Sequence, residues 1–158
     1  MLYLASYYGS PTTDESLGYR IKASIGDTIT RFITRGRFSH CELVTPLDNG
    51  NYLCYSSSIR DKGVRKKEIH LRPEAWVLVP VSNYSAYDPS LHNLEKLEAY
   101  YLQCKDYEYD FLGAVGIILG TEQHNHKLFC SEFVAGFLGL QEPWRYHPNL
   151  LAALLRKD

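Results

Sequence analysis

The stretch "FSHCELV" at residues 38–44 is where interpretation of this sequence begins, because it combines a strand pattern with reactive side chains. Side chains alternate between the two faces of a strand, so His40 and Glu42 share one face and Cys41 lies on the other. A carboxylate beside an imidazole can orient the ring and support its role as a base. We therefore expect this strand to contribute to a functional site.

A second stretch, "LFCSEFVAGFLGL" at residues 128–140, is typical of an apolar helix that starts at Cys130. The spacing from Cys130 to Val134, Phe137 and Leu138 places the cysteine on the apolar face, turned toward the sheet. Free N–H groups and the positive end of the helix dipole favour a thiolate at such a position. The same groups can hold a developing oxyanion, with the N–H of the cysteine itself as the obvious donor.

These two stretches together supply the groups that nucleophilic catalysis by a thiol requires. A thiolate needs a base within hydrogen-bond reach and a third group that orients the base. We predict Cys130 as the nucleophile and His40 as the base, with Glu42 or Ser57 as the third member.

The turn that follows the histidine strand is used to predict the register of the next strand. Asn49-Gly50 is a strong signal for a two-residue hairpin turn. A turn centred there places Ser57 opposite Glu42 and brings Tyr55 onto the same face. Ser57 and Tyr55 are therefore predicted to line the site.

The remainder of the chain has a strand-rich first half followed by helices, which predicts an α+β fold with an antiparallel sheet packed against helices. Pro80 indicates a strand end or sheet edge, and Asp88 or Ser90 is the predicted cap of a long helix. With 158 residues, one domain spanning 1–158 is expected. The predicted strands are 2–8, 38–45, 52–59, 64–71 and 75–81, and the predicted helices are 24–36, 87–105, 110–119, 130–138 and one that starts at Pro148.

Composition and charge give no support to several classes of function. The net charge of −1 and the pI near 6.6 offer no reason to expect a nucleic acid partner. No apolar run approaches the roughly 18 residues of a membrane span, and the first residues lack the basic segment of a signal peptide. The cysteines lack CxxC spacing, so we interpret them as reduced thiols and expect a cytoplasmic protein. The pattern leaves the oligomeric state open.

Two other sets of residues permit alternative interpretations. His124, His126 and Cys130 have side chains that suit zinc, although a fourth ligand would have to come from elsewhere. We expect neither metal nor cofactor, and interpret the two histidines as part of a polar loop. A basic run is predicted to be a solvated edge strand, although it could also meet an anionic substrate. The basic run consists of Arg60, Lys62, Arg65, Lys66 and Lys67.

Four segments, "ITRGRFSHCELV", "YDFLGAVG", "FCSEFVAGFLGL" and "HPNLL", resemble the permuted NlpC-type branch of the papain-like cysteine hydrolases. That branch also includes the lecithin:retinol acyltransferase-like enzymes, and its histidine strand precedes its cysteine helix. The resemblance covers residues 24–59 and 107–151. It implies Cys130 as nucleophile, His40 as base and Glu42 as the polar third member.

The resemblance also implies further properties of the site and of the reaction. An aromatic hydroxyl near the oxyanion is expected from one of Tyr3, Tyr7 or Tyr8. The reaction would be hydrolysis or acyl transfer at an amide, ester or thioester, with a peptide, a cell-wall peptide or a lipid acyl group as the substrate. A bacterial or phage source is implied as well. A binding module that retains the fold without turnover is the alternative.

Two positions depart from the pattern of the family. Cys41 stands where many relatives carry a small residue, and His147 stands where they carry serine or threonine before the proline. Neither position is expected to carry chemistry. Glu132, in the first turn of the cysteine helix, is interpreted as structural.

Overall fold

The computed structural model describes residues 1–9, 36–110, 114 and 126–156. These residues form a curled, mainly antiparallel sheet of seven strands with three α-helices, which confirms the α+β prediction. The predicted helices at 24–36 and 110–119 lie outside the described residues, except for Gly36, Asp110 and Ala114. No helix among the described residues is long and apolar enough to cross a membrane.

The strand order in the sheet is β5-β1-β2-β3-β4-β6-β7, and the pairings are antiparallel except for β6 with β7. The strands are β1 (Tyr3–Tyr7), β2 (His40–Pro46), β3 (Tyr52–Ser58), β4 (Gly63–Ile69), β5 (Trp76–Pro80), β6 (Glu108–Tyr109) and β7 (Lys127–Leu128). The helices are α1 (Leu94–Cys104), α2 (Cys130–Phe137) and α3 (Pro148–Leu155). All five strands predicted in the first half are confirmed, and β5, which ends at Pro80, is the first strand in the order, as its proline predicts.

The prediction for the start of α1 was wrong. Asn93 caps the helix, since its side chain accepts a hydrogen bond from the Lys96 N–H at 3.0 Å. Asp88 instead holds a separate turn, in which its carboxylate accepts from the Ser90 N–H at 2.8 Å and its carbonyl accepts from the His92 N–H at 2.8 Å. The proline and the aspartate therefore mark this turn and not the helix.

The predicted register of the β2–β3 hairpin was wrong by one residue. Leu43 lies opposite Tyr55 and Pro46 lies opposite Tyr52, so the loop contains three residues and not two. Gly50 occupies the left-handed region with φ of +83°, as a three-residue loop that ends in a bulge requires. A shift of one residue moves every side chain of β3 to the other face.

The sheet has a different cluster of buried side chains on each face. The helices cover the face that carries Leu4, Cys41, Leu43 and Tyr55, and α2 packs there with Phe133 and its neighbours. The opposite face carries His40, Glu42 and a smaller apolar cluster. That cluster consists of Ala5, Val44, Cys54 and Leu71, with Tyr3, Tyr52, Ile69, Trp76 and Leu78 packed against it.

Candidate active site

The ladder between β2 and β3 opens at the end of β2 that carries His40. β2 pairs with β1 along its whole length, from Tyr3 opposite Val44 to Tyr7 opposite His40. Its pairing with β3 stops at Leu43. The first three residues of β2 therefore pair with β1 on one side but with no residue of β3 on the other, and we refer to this unpaired part of the ladder as the gap.

Two serines of β3 make hydrogen bonds in this gap. Ser56 Oγ donates to the Cys41 carbonyl at 2.8 Å and so connects the separated strands. Ser57 Oγ donates to the Leu128 carbonyl at 2.6 Å. Because Leu128 precedes α2 by two residues, the second bond holds the start of the cysteine helix against β3, next to the opening.

Cys130 is the first residue of α2, as the sequence predicts, and Phe129 is its N-cap. The Glu132 carboxylate accepts a hydrogen bond from the Phe129 N–H at 3.4 Å, so Glu132 satisfies a donor at the helix start. Cys130 is 5% exposed and belongs to the cluster between α2 and the sheet. The free N–H groups of the first turn lie beside its sulfur by the geometry of a helix start.

Cys41 and His40 lie close enough to the Cys130 sulfur to shift its pKa. A hydrogen bond from the Cys41 thiol is the largest influence on the Cys130 pKa and lowers it. Burial opposes ionisation, whereas the charge and hydrogen bond of His40 and the N–H of Cys41 favour it. The net result is a Cys130 pKa well below that of an ordinary thiol. Burial raises the pKa of Cys41, and its contact with Cys130 raises it further, so Cys41 remains the protonated donor.

His40 lies between the sulfur and a carboxylate. Its Nε2 is 3.0 Å from Glu42 Oε1, which leaves Nδ1 as the ring nitrogen for Cys130. Burial lowers the pKa of His40, but the charges and hydrogen bonds of Cys130 and Glu42 outweigh it and raise this pKa to about 10. These shifts, downward for Cys130 and upward for His40, favour the thiolate–imidazolium form of the pair. The imidazole is 22% exposed, so one side of it faces solvent.

Glu42 is 2% exposed and is held by two cationic partners. Its Oε1 accepts from Arg65 Nη2 at 2.5 Å as well as from His40. Burial raises the pKa of Glu42, but the hydrogen bond of His40 and the charge of Arg65 lower it to about 2. Asp61 lies on the far side of Arg65, with Oδ2 at 3.0 Å from its Nε.

The three tyrosines predicted as candidates for the oxyanion lie in different places. Tyr7 is directly opposite His40, and its ring centroid is 5.0 Å from that of Trp76, which also contacts the imidazole edge-on at 6.2 Å. Tyr3 lies at the other end of β1, opposite Val44. The hydroxyl of Tyr8 donates to the Pro73 carbonyl at 3.3 Å. The structure thus brings Tyr7 beside the histidine.

Ser57 and Tyr55 do not line the face of Glu42, contrary to the prediction. Because the hairpin loop has one residue more than expected, both side chains point to the helix side of the sheet. Ser57 bonds to Leu128, and the Tyr55 hydroxyl donates to Glu98 Oε1 at 2.5 Å. Their roles are to fix α2 and α1 against β3.

The alternative zinc site is only partly covered by the structure. His126 is exposed, and its ring meets that of Tyr107 edge-on at 5.1 Å, whereas Cys130 is buried beside His40. His124 lies outside the described residues. Within 1–9, 36–110 and 126–156, no group of three or more His, Cys, Asp or Glu residues could hold a metal ion.

The basic run extends into β4, which lies between β3 and β6 in the strand order but pairs with β6 only at Gly63, so residues 65–69 have no second strand partner among the described residues. Lys66 and Lys67 are exposed, as expected for a solvated edge, whereas Arg65 is not. Lys66 contacts Glu98, and Lys67 contacts Asp61. Arg65 is 11% exposed and faces Glu42. At least part of this positive charge is therefore used within the protein.

Sequence reasoning missed Cys41 and Arg65 as members of the site. Strand alternation places Cys41 on the helix side of β2 and His40 on the other side. Because α2 packs on the helix side, the side chain of β2 that points toward it is Cys41. Ser56 pairs with Arg65, and continuing the β2–β3 register one residue beyond Leu43 places Ser56 on the face of Glu42, so the three share a face. The correct hairpin loop would have revealed Arg65.

A scan of protein-family models and a search of the curated proteins found no match to this chain. The interpretation of the site therefore depends on its residues and their geometry.

Proposed function

We propose that this protein is a cysteine hydrolase or acyltransferase with the permuted NlpC-type papain-like fold. One observation carries the proposal: Cys130, at the start of α2, lies close enough to His40 for the two to shift each other's pKa, and His40 Nε2 is 3.0 Å from the buried Glu42. Nucleophile, base and orienting carboxylate are thereby in one hydrogen-bonded series. The order of the histidine strand and the cysteine helix is that of the permuted branch.

In the acylation step the Cys130 thiolate attacks the carbonyl carbon of an amide, ester or thioester. The electron pair of the carbonyl moves to its oxygen, and the N–H groups at the start of α2 stabilise that oxyanion. When the tetrahedral intermediate collapses, the His40 imidazolium donates its proton to the leaving group. The product of this step is an acyl-enzyme on Cys130 with a neutral His40.

In the second step the neutral imidazole takes a proton from water or from another acceptor, which attacks the acyl carbon. The carbon–sulfur bond breaks, and the thiolate–imidazolium pair is restored. Glu42 stabilises the imidazolium both before it donates its proton and after it forms again, because the Glu42 carboxylate is held ionised within 3.0 Å of Nε2. Water as acceptor makes the protein a hydrolase, and an alcohol or amine makes it an acyltransferase.

The proposed substrates are peptides, cell-wall peptides or lipid acyl groups, and no cofactor takes part. All four cysteines of the chain are free and buried, which suits the cytoplasmic location that we propose. Aromatic side chains beside His40, namely Tyr7 and Trp76, offer an apolar contact for an acyl substituent.

The ionised thiol can be tested without knowledge of the substrate. We expect iodoacetamide to alkylate Cys130 rapidly well below the pH at which ordinary thiols react, and His40→Ala to abolish that acid reactivity. Cys104→Ala is the matched control, because Cys104 is 7% exposed on a helix, like Cys130, but lies outside the site. Peptide mass spectrometry identifies the alkylated residue.

Turnover is tested with p-nitrophenyl acetate, an activated ester. We expect a burst of p-nitrophenol and a thioester-linked acetyl group on Cys130, both absent in Cys130→Ala. A folded protein whose Cys130 is no more reactive than Cys104 would be a binding module and would contradict the proposal. Stoichiometric zinc in the purified protein, lost together with reactivity on chelation, would support the zinc alternative instead.

A further inference from the structure

Arg65 differs from the neighbouring lysines of β4 in its burial and its direction. Its side chain is 11% exposed, compared with 33% for Lys66 and 54% for Lys67. Arg65 lies opposite Ser56, on the face of the sheet that carries Glu42. A buried guanidinium is costly unless it is paired, so its position needs an explanation in terms of its partners.

The partners of Arg65 are two carboxylates on different parts of the chain. Nη2 is 2.5 Å from Glu42 Oε1, the oxygen that is also 3.0 Å from His40 Nε2. Nε is 3.0 Å from Asp61 Oδ2, and Lys67 contacts the other oxygen of Asp61. Charges of alternating sign thus extend from the surface at Asp61 to the imidazole.

We propose that Arg65 is a positioning residue, which keeps the Glu42 carboxylate ionised and directed at His40 and thereby keeps the reactive pair assembled. This inference rests on the proposed function of Cys130 and His40. In this role Arg65 contacts neither the Cys130 sulfur nor the His40 imidazole, and it acts on them through Glu42.

The chemistry of a guanidinium suits this role. It remains charged at every pH at which the protein is folded, so its support for the Glu42 anion does not titrate. Its planar, delocalised charge lets a terminal nitrogen bond to one carboxylate while Nε forms an ion pair with another. A lysine ammonium is a point charge and cannot hold Glu42 and Asp61 in that way.

The groups that face Glu42 come from three strands. His40 is on its own strand, where Cys41 points to the opposite face, the Cys54 thiol lies beside it on β3, and Arg65 contacts it from β4. β1 presents Ala5, which does not titrate. Burial raises the pKa of Cys54, and the Glu42 charge raises it further, so that thiol stays neutral in the acid range. His40 and Arg65 are consequently the two cations that keep Glu42 ionised.

The test is the pH profile of Cys130 alkylation by iodoacetamide, normalised to its plateau, in Arg65→Gln. Loss of a neighbouring opposite charge raises a carboxyl pKa by roughly 1 to 3 units. Glu42 would then protonate at higher pH, and His40 would lose its counterion. The acid limb of the alkylation profile would therefore move to higher pH by about one unit or more. A shift of one unit is a loss of about fivefold in rate at the former midpoint and of about tenfold well below it.

Lys66→Gln is the matched control, because Lys66 is the next residue on β4 but points to the other face and contacts Glu98. We expect its profile to coincide with that of the unmodified protein. Arg65→Lys retains the charge but not the planar guanidinium, and its acid limb should move by a smaller, measurable amount. It serves as the test if circular dichroism shows that Arg65→Gln does not fold.

Each outcome of this test supports or overturns a distinct statement. A normal acid limb in Arg65→Gln, or in Arg65→Lys where the first variant is unfolded, would overturn the role of Arg65 and leave the proposed function standing. If the unmodified protein and His40→Ala have the same profile, the proposed function fails first. A shift in Arg65→Gln that is absent in Lys66→Gln supports the inference.

Discussion

Replacement of Cys41 by alanine should raise the pKa of the Cys130 thiol although Cys41 performs no step of the proposed reaction. The Cys41 thiol donates a hydrogen bond to the Cys130 sulfur, and this bond is the largest influence that lowers the Cys130 pKa. Alanine removes the donor and leaves the backbone N–H of residue 41 in place. The His40 and Glu42 side chains on the other face of β2 are not altered by the change.

The size of the shift follows from the energy of one hydrogen bond to an ion. Such bonds contribute roughly 1.5 to 3 kcal/mol, and one pKa unit corresponds to about 1.36 kcal/mol. We therefore expect the Cys130 pKa in Cys41→Ala to rise by about 1 to 2 units. The residual influence of His40 and of the backbone N–H should still keep it below the pKa of an ordinary thiol.

The assay is the rate of iodoacetamide alkylation of Cys130 as a function of pH, with the modified residue located by mass spectrometry. Cys41→Ser retains a donor of similar size and should shift the midpoint less than Cys41→Ala. Cys104→Ala, a comparably buried cysteine outside the site, should leave the midpoint unchanged. A midpoint in Cys41→Ala within a few tenths of a unit of the unmodified protein would show that the two sulfurs do not interact and would refute the reasoning.

Further predictions concern stability. The folded-state pKa of Glu42 is about 2, below its ordinary value of 4.5. Its contribution to the free energy of unfolding is therefore complete above about pH 4.5 and is lost as the pH falls toward 2. It amounts to about 3 kcal/mol, and Glu42→Gln should flatten urea-unfolding profiles in that window. Asn149→Ala should destabilise the protein by about 1 to 3 kcal/mol in urea, because the Asn149 amide bonds to both the N–H and the carbonyl of Phe38 at 2.9 Å, whereas the exposed Leu150→Ala should have little effect. Gly50→Ala should lower the stability by about 1 to 2 kcal/mol, since φ is +83° there, and Gly50→Asn by less; equal stability of all three forms would contradict the assigned loop.

The strands of the first half and the starts of α2 and α3 could be predicted because each depends on local signals. Alternation of side chains indicated β2, and Pro148 opens α3 as its position at the first turn predicts. The start of α1 failed because Asp88 and Asn93 are both capable caps, and only the completed turn around Asp88 shows which of them begins the helix. Where two residues can each cap a helix, the sequence alone does not show which one does, and the surrounding structure decides.

The register of the hairpin could not be read from Asn49-Gly50 alone. The same dipeptide serves a two-residue turn or the end of a three-residue loop, because glycine adopts a positive φ in both. That single ambiguity changed which residues of β3 were assigned to the site. It replaced Ser56 by Ser57 as the neighbour of Glu42, and so concealed Arg65 on the next strand.

The buried serines of β3 explain how a cysteine on the helix side of the sheet reaches a histidine on the other side. In a closed ladder the β2 backbone would separate Cys130 from His40. Here the ladder ends at Leu43, and the Ser56 hydroxyl bonds to the Cys41 carbonyl in place of a backbone donor from β3. The Ser57 hydroxyl adds a second hydrogen bond to the Leu128 carbonyl, which also accepts from the Asp110 N–H at 3.2 Å. Buried backbone groups need hydrogen-bond partners, and a short side-chain hydroxyl supplies one where the strands are not paired. The serines of "CYSSS" at 54–58 are therefore the sequence feature that accompanies the approach of Cys130 to His40.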